Sequence, residues 1–441
     1  MSSRVVITGA GVVSALGQDL ETFWDGCLSA RSVVEPIPPH WSGYFQPGSP
    51  VWSPLALPDF RARGLSRVET MQHDQVALLA AVAADEALER ARLARTVIDR
   101  RQNTASIEGV ADGQGGVFLG TGIGGASTML GMHANQMLSE PAKRAKDDSH
   151  FASFDYPARF NPFAVSMSMP NAPAAYLGIK FGLDGENDTA CAACASGTVS
   201  IGRAFRAIRE GRIAFALAGG SEYLDDYYGG IFRGFDAAKT LARGELAHGL
   251  LNRPFDEQRG GFLFSQGGAA MVTMECEARA RARNAPVLAE VVGFAESFDS
   301  FSMMSLEPSG RHIEAMLNRA VADAGIGLDD VDYVNTHGTG TELNDATEAE
   351  IIGRTLGNRP AIVATKSLLG HTIGASGAFE TVVSALTLAQ QRTHGCKNLD
   401  TPIARLNFVR EAGPVAATYA LSQSFAFGGH NAALVLRRYE D

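Results

Sequence analysis

The chain has 441 residues, 45% hydrophobic and 20% charged, a balance that excludes disorder, collagen and a coiled coil as the main architecture. Asp and Glu number 48 against 38 Lys and Arg, and the net charge of −10 argues against general binding to nucleic acid. The longest uninterrupted apolar run, Val76 to Ala84, is less than half of the ~20 residues a membrane helix needs, so no membrane association is expected.

The amino terminus passes from a short polar start into VVITGAGVVSALG from Val5, a strand and tight turn without the apolar core of a secretory signal. Gln75 to Arg95 is an Ala- and Arg-rich amphipathic stretch and predicts a helix. GGVFLGTGIGG from Gly115 repeats the pattern of apolar run then glycines. Residues 126 to 160, with Lys143, Arg144 and Lys146, have a different texture and read as an excursion. Gly202 to Arg212 predicts a second helix, and FALAGGSE from Phe215 a further strand and turn. Strands alternating with helices predict an α/β layered fold whose sheet is buried on both faces. Ala195-Ser196-Gly197 before one helical run recurs as Ala375-Ser376-Gly377 before another, 180 residues later, a weak echo of an internal duplication. The five cysteines, at 27, 191, 194, 276 and 396, are odd in number and sparse, which suits thiols in a reducing cytoplasm rather than a disulfide framework.

Three segments carry chemistry. In Asn187 to Gly197 (NDTACAACASG), Cys194 falls at the start of a helix, where the helix dipole lowers a thiol pKa. A small buried hydrophobe is the plain alternative, and Cys191-x-x-Cys194 also permits a redox or metal pair; a zinc site would need a second ligand pair, and none is spaced for it. In Val334 to Asp345 (VNTHGTGTELND), a strand-like stretch ends in His337, followed by glycines and the hydroxyls of Thr339 and Thr341. In Thr365 to Gly377 (TKSLLGHTIGASG), Lys366 and His371 stand five residues apart before a helix. Each histidine taken alone has structural and surface roles open to it as well as catalytic ones.

These motifs, with Phe425-Ala426-Phe427-Gly428-Gly429-His430-Asn431 near the end, occur in the order in which they stand in the β-ketoacyl-acyl carrier protein synthases of the thiolase superfamily, which the chain resembles over nearly its whole length. The resemblance is to the type II elongating ketosynthases. It implies a thiolase-like five-layer α-β-α-β-α sandwich built from two related halves. Residues 1–286 would carry the nucleophile and dimer interface, and residues 287–441 the His/Lys/His set and the gating loop. It implies an acyltransferase, a 3-oxoacyl-[acyl-carrier-protein] synthase. An acyl chain held on Cys194 would undergo decarboxylative Claisen condensation with malonyl-acyl carrier protein, in fatty-acid or specialised polyketide or polyene synthesis.

By the same resemblance Cys194 is the nucleophile, and the N–H groups of Cys194 and Phe427 form the oxyanion hole. His337 and His371 donate to the malonyl thioester oxygen. Lys366 orders the histidines with Glu380 as its carboxylate partner, while Asp345 and Glu348 are structural. Thr339 and Thr341 position the pantetheine arm. Phe425 and Phe427 belong to the gating loop at the substrate site, and Ile123 closes the acyl pocket. Arg61, Arg63, Arg67 and Arg159 are the expected docking cations for an acidic carrier. No metal and no cofactor are expected beyond the carrier's phosphopantetheine arm. The partners are the acyl carrier protein and a second subunit, identical or homologous.

Gln266, Glu342 and Ala426 depart from the family's common acidic residue, proline and glycine. The alternative function is a non-catalytic chain-length subunit of a ketosynthase heterodimer. A thioester hydrolase is disfavoured because Thr198-Val199-Ser200-Ile201-Gly202 lacks the first glycine of a G-x-S-x-G elbow.

Overall fold

The computed structural model describes residues 3–138 and 161–440. Lys143, Arg144, Lys146 and Arg159 therefore lie outside the described residues; the expected excursion begins as a helix, Ala126–Leu138.

The large sheet uses ten strands, five from each part of the chain. The first five are β1 (Val5–Val13), β2 (Gly115–Gly120), β3 (Asn187–Ala190), β4 (Phe215–Tyr223) and β5 (Gly267–Cys276). The second five are β6 (Ala289–Phe298), β7 (Tyr333–Asn335), β8 (Ala361–Val363), β9 (Tyr419–Phe425) and β10 (His430–Arg437). They lie in the order β3-β2-β4-β5-β1-β6-β10-β9-β7-β8. Within each set of five the order is third, second, fourth, fifth, first, so the two halves repeat one topology. They join edge to edge through a short antiparallel ladder, in which Val5 faces Val291 and Ile7 faces Ala289.

Six helices complete the layers: α1 (Gln75–Arg90), α2 (Ala172–Phe181), α3 (Ser196–Arg209), α4 (Arg311–Asp323), α5 (Glu342–Thr355) and α6 (Ser376–Gln390). α1 and α2 cover the outer face of the first half-sheet, and α4 lies against β6 and β10 on the outside of the second. α3 and α6 touch each other and both half-sheets, forming the middle of five layers. The five-layer expectation therefore holds.

The local sequence explains this layering. β1 and β4 are buried at every position, as strands covered on both faces must be, and so read as apolar runs rather than alternations. α6 (SGAFETVVSALTLAQ) is buried almost all round, which suits a helix with a sheet on either side. Small residues permit the close approaches. A Cβ on Gly11 would stand 2.0 Å from the Ala83 carbonyl of α1, and one on Gly202 would stand 2.2 Å from the Phe294 ring. Phe294 is 1% exposed, so truncating it to alanine removes a contact worth roughly 3–5 kcal/mol. Among the described residues, no helix is long and apolar enough to cross a membrane.

The tripeptide echo is structural. Ala193 and Ile373 both take positive φ, 45° and 48°, at the start of the tight turns that lead into α3 and α6. Ser196 Oγ accepts the Ala192 N–H at 2.9 Å, and Ser376 Oγ accepts the Thr372 N–H at 3.2 Å. The duplicated turns put the chemistry of the two halves face to face at the amino ends of the central helices.

Candidate active site

Cys194 lies on a tight turn, Ala193–Ala195, between β3 and α3. The left-handed backbone at Ala193 turns the chain so that the cysteine side chain is buried, 2% exposed, beneath the second half of the molecule. His371 Nε2 lies 3.1 Å from Cys194 Sγ. The backbone N–H groups of Phe427 and of Cys194 itself favour negative charge on the sulfur. The expected helix start is present, yet burial dominates and pushes the thiol up to about 12, against the pull of Lys366 and the two N–H groups. The resting group is a thiol; the surrounding donors are those a thiolate needs when it forms. Cys191, three residues away, is exposed.

His337 is held through its backbone. α5 turns two carboxylates toward the loop before it: Glu348 accepts the N–H groups of His337 and Gly338 at 2.7 and 2.8 Å, and Asp345 accepts those of Thr339 and Gly340, each at 3.1 Å. A three-residue spacing puts both acids on one helix face. Burial pushes the Glu348 carboxyl up to about 7.

Lys366 spends all three ammonium protons inside the site. It donates to the His337 carbonyl at 2.7 Å, to His337 Nδ1 at 3.2 Å and to the Glu380 carboxylate. Lys366 and Glu380 are almost wholly buried, and burial raises the Glu380 carboxyl to about 7 while Lys366 opposes it. Burial, and then the Lys366 charge, hold both histidines well below the ordinary imidazole value, so both are neutral near pH 7.

The hydrogen bonds also define the tautomers. His337 Nδ1 accepts from Lys366, and His371 Nδ1 accepts the Ile373 N–H at 3.2 Å, with Ser376 Oγ 2.9 Å away. Each ring therefore carries its proton on Nε2. The rings stand 5.5 Å apart at 86°. One ligand atom each from Cys194, His337 and His371 falls within a 4.8 Å cluster, a spacing a soft metal could span. With both Nδ1 atoms already accepting, the imidazoles offer protons to this space rather than lone pairs. The arrangement suits negative charge on sulfur or oxygen.

A cavity of about 260 Å³ opens onto these groups. Thr339, Thr341, Phe425 and Phe427 line it with Cys194, His337 and His371. Thr339 Oγ1 and Thr341 Oγ1 are 3.0 Å apart. Lys239 and Met304 line it too, from outside every motif, as does Leu343 of the Val334 to Asp345 segment. Ile123 does not line it; its N–H donates to Glu222 at 3.2 Å. Arg61, Arg63 and Arg67 are exposed but are not among its lining residues. Arg63 instead borders a separate cavity of about 950 Å³ beside Trp24, among whose lining residues there is no cysteine or histidine.

The sequence departures have local explanations. Gln266 accepts the Leu55 N–H at 2.7 Å and donates to Asp225 at 2.9 Å, where a second acid would face the first. Glu342 begins α5, and its carbonyl accepts from Arg259 at 2.8 Å. Ala426 is extended, while Gly428 and Gly429 supply the left-handed turn beside Phe427, at φ 81° and 82°. Gly428 N–H donates to the Met303 carbonyl at 2.9 Å and ties this loop to the cavity wall.

The model of the beta-ketoacyl synthase N-terminal domain matches residues 2–278, and that of the C-terminal domain matches residues 288–400. The 3-oxoacyl-[acyl-carrier-protein] synthase 2 of Staphylococcus aureus (strain COL) is 32% identical over 454 residues, covering 100% of this chain and 99% of that one. A ketosynthase of a type II polyketide system, solved with its acyl-carrier protein and bound to the hexaketide, superposes with TM-score 0.84 at 25% identity over 100% of both chains. The ishigamide ketosynthase/chain length factor superposes with TM-score 0.83, also at 25% identity and 100% coverage of both.

Proposed function

The chain belongs to the beta-ketoacyl synthase family, and from that premise we propose that Cys194, His337, His371 and Lys366 carry its condensation chemistry. The enzyme is an acyltransferase that joins an acyl group to malonyl-acyl carrier protein with loss of carbon dioxide, giving a 3-oxoacyl-acyl carrier protein. The observation that carries the residue assignment is the meeting of Cys194 Sγ, His371 Nε2 and His337 in one buried cluster, with Lys366 on His337 Nδ1.

In the first half-reaction Cys194 loses its proton and attacks the carrier thioester. The carbonyl oxygen gathers negative charge facing the N–H groups of Cys194 and Phe427, and the carrier thiol leaves, taking up a proton. In the second, malonyl thioester enters the emptied arm channel past Thr339 and Thr341. Its C–CO₂ bond breaks, carbon dioxide departs, and the electron pair forms an enolate whose oxygen faces the Nε2–H groups of His337 and His371. The enolate carbon attacks the Cys194 thioester, the new carbon–carbon bond forms, and the cysteine thiolate leaves and is reprotonated. Neutral imidazoles fixed as Nε2–H donors stabilise this charge without giving up a proton. Lys366, paired with Glu380, is the positioning group that keeps His337 in that tautomer.

The partner is an acyl carrier protein with its phosphopantetheine arm, and no further cofactor enters this scheme. A dimer formed through residues 1–286 is supported by the one-sided pairing of β3 and by exposed Ile179 and Val165 in the same half. Free thiols at all five cysteines support a reducing cytoplasm. The set of departures favours a specialised polyketide or polyene route over primary fatty-acid synthesis. Intact Cys194, His337 and His371 weigh against a purely chain-length-setting subunit.

Intact-mass measurement after incubation with acyl carrier proteins of graded chain length tests the nucleophile. The native chain gains one acyl mass and Cys194→Ala gains none; equal acylation of both would refute the assignment.

A further inference from the structure

Glu222, the penultimate residue of β4, is fully buried; it ends the FALAGGSE stretch, which continues as strand rather than turning, and lies outside the three segments that carry chemistry. Its carboxylate holds four donors drawn from both halves of the molecule. Oε1 accepts from Thr121 Oγ1 at 3.0 Å and from the Ile123 N–H at 3.2 Å; Oε2 accepts the Gly122 N–H at 2.6 Å and the Gly374 N–H at 2.9 Å. Gly374 follows Ile373, whose own N–H fixes the tautomer of His371. The contact is built closely: a Cβ on Gly374 would stand 2.2 Å from the Gly122 nitrogen and 2.5 Å from Glu222 Oε2, and a Cβ on Gly122 would stand 2.8 Å from the same oxygen.

We infer that Glu222 is a positioning residue for the decarboxylation step, because it bolts the loop Thr121–Ile123 of the first half to the turn after His371 in the second and so sets His371 against Cys194. The inference rests on the condensing reaction proposed above. A carboxylate suits the position because it only accepts hydrogen bonds and all four neighbours donate. Without it, three backbone N–H groups lose their acceptor in a buried place, and the turn carrying Ile373 and Gly374 is free to move. Cys194 acylation draws on the N–H groups of Cys194 and Phe427, none of them bound to Glu222, and on the His371 contact to the sulfur only as the thiolate forms, so it falls less than decarboxylation does. Decarboxylation uses the His371 proton directly as one of two donors, and a lost donor of this kind costs roughly 10²–10³ in rate.

The two half-reactions are measured separately on the full-length chain: acyl transfer to Cys194 by intact mass, and carbon dioxide release from malonyl-acyl carrier protein. Glu222→Ala is expected to lower decarboxylation at least ~10-fold more than acylation. Gly374→Ala, which breaks the clamp from the opposite side, is expected to give the same split should Glu222→Ala fail to fold. Glu222→Gln can keep one oxygen on Gly122 and Gly374 but sets its amide donor against the Ile123 N–H, and is expected to give a decarboxylation rate between those of the native chain and Glu222→Ala. Folded variants that lower both rates by one common factor, or neither, would overturn the positioning role while leaving the reaction intact. A native chain that performs neither half-reaction would overturn the reaction and this role together.

Discussion

Ala193 and Ile373, 180 residues apart, hold the same left-handed backbone, φ 45° and 48°, each three residues before the first residue of a central helix, Ser196 in one half and Ser376 in the other. An alanine in this region carries strain that a β-branched residue would increase. Ala193→Val is therefore expected to destabilise the protein by ~1–3 kcal/mol, whereas Ala193→Gly stays within ~1 kcal/mol of native. Chemical denaturation midpoints at constant m-value measure both; a valine variant as stable as the native chain would contradict the turn geometry.

The Lys366–Glu380 pair is buried on both sides, so removing one partner leaves an uncompensated charge. Lys366→Met alone is expected to cost roughly 3–5 kcal/mol. Adding Glu380→Gln should recover much of that stability without recovering decarboxylation, because His337 Nδ1 still lacks its donor. A double variant that regains activity would show that Lys366 acts only through stability.

Both histidines titrate far below the ordinary imidazole value. Because the folded values are depressed, their stabilising contribution is present above the unfolded pKa of ~6.5 and is lost as the pH falls below it, when the unfolded chain takes up protons that the folded chain refuses. Carbon dioxide release from malonyl carrier is accordingly expected to show no inflection near pH 6.5. A half-maximal rate at that pH would mean that at least one imidazole is solvated.

The Cys194 thiol is raised to about 12 by burial. Its alkylation by iodoacetamide, followed by mass of the Cys194 peptide, should keep rising beyond pH 9 without a plateau. A plateau near neutral pH would mean that the helix start and the N–H groups outweigh burial.

The chemistry-bearing residues were legible because each sits in a glycine- or hydroxyl-rich turn with a distinctive local pattern: Cys194 before Ala-Ser-Gly, His337 before Gly-Thr-Gly-Thr, and His371 before Thr-Ile-Gly. The five-layer fold followed from resemblance; the strand order common to both halves had no counterpart in the residues, since only small-residue turns need to repeat and the strands need only be apolar. Glu222 was invisible for a related reason. Its partners at 121–123 and at 374 lie on either side of it in the chain, far away, and meet only when the halves close. Lys239 and Met304 reach the cavity from loops with no motif. Resemblance and charge point to Arg61, Arg63 and Arg67 as docking cations, and neither says which cavity an arginine borders.

The most direct test is product analysis of the native enzyme given an acyl carrier protein that loads Cys194 and malonyl-acyl carrier protein labelled with ¹³C. The expected product is a 3-oxoacyl-acyl carrier protein two carbons longer than the starting chain, with one carbon dioxide released per turnover and none of this product from Cys194→Ala. Carbon dioxide release or thioester hydrolysis without a new carbon–carbon bond would contradict the condensing role.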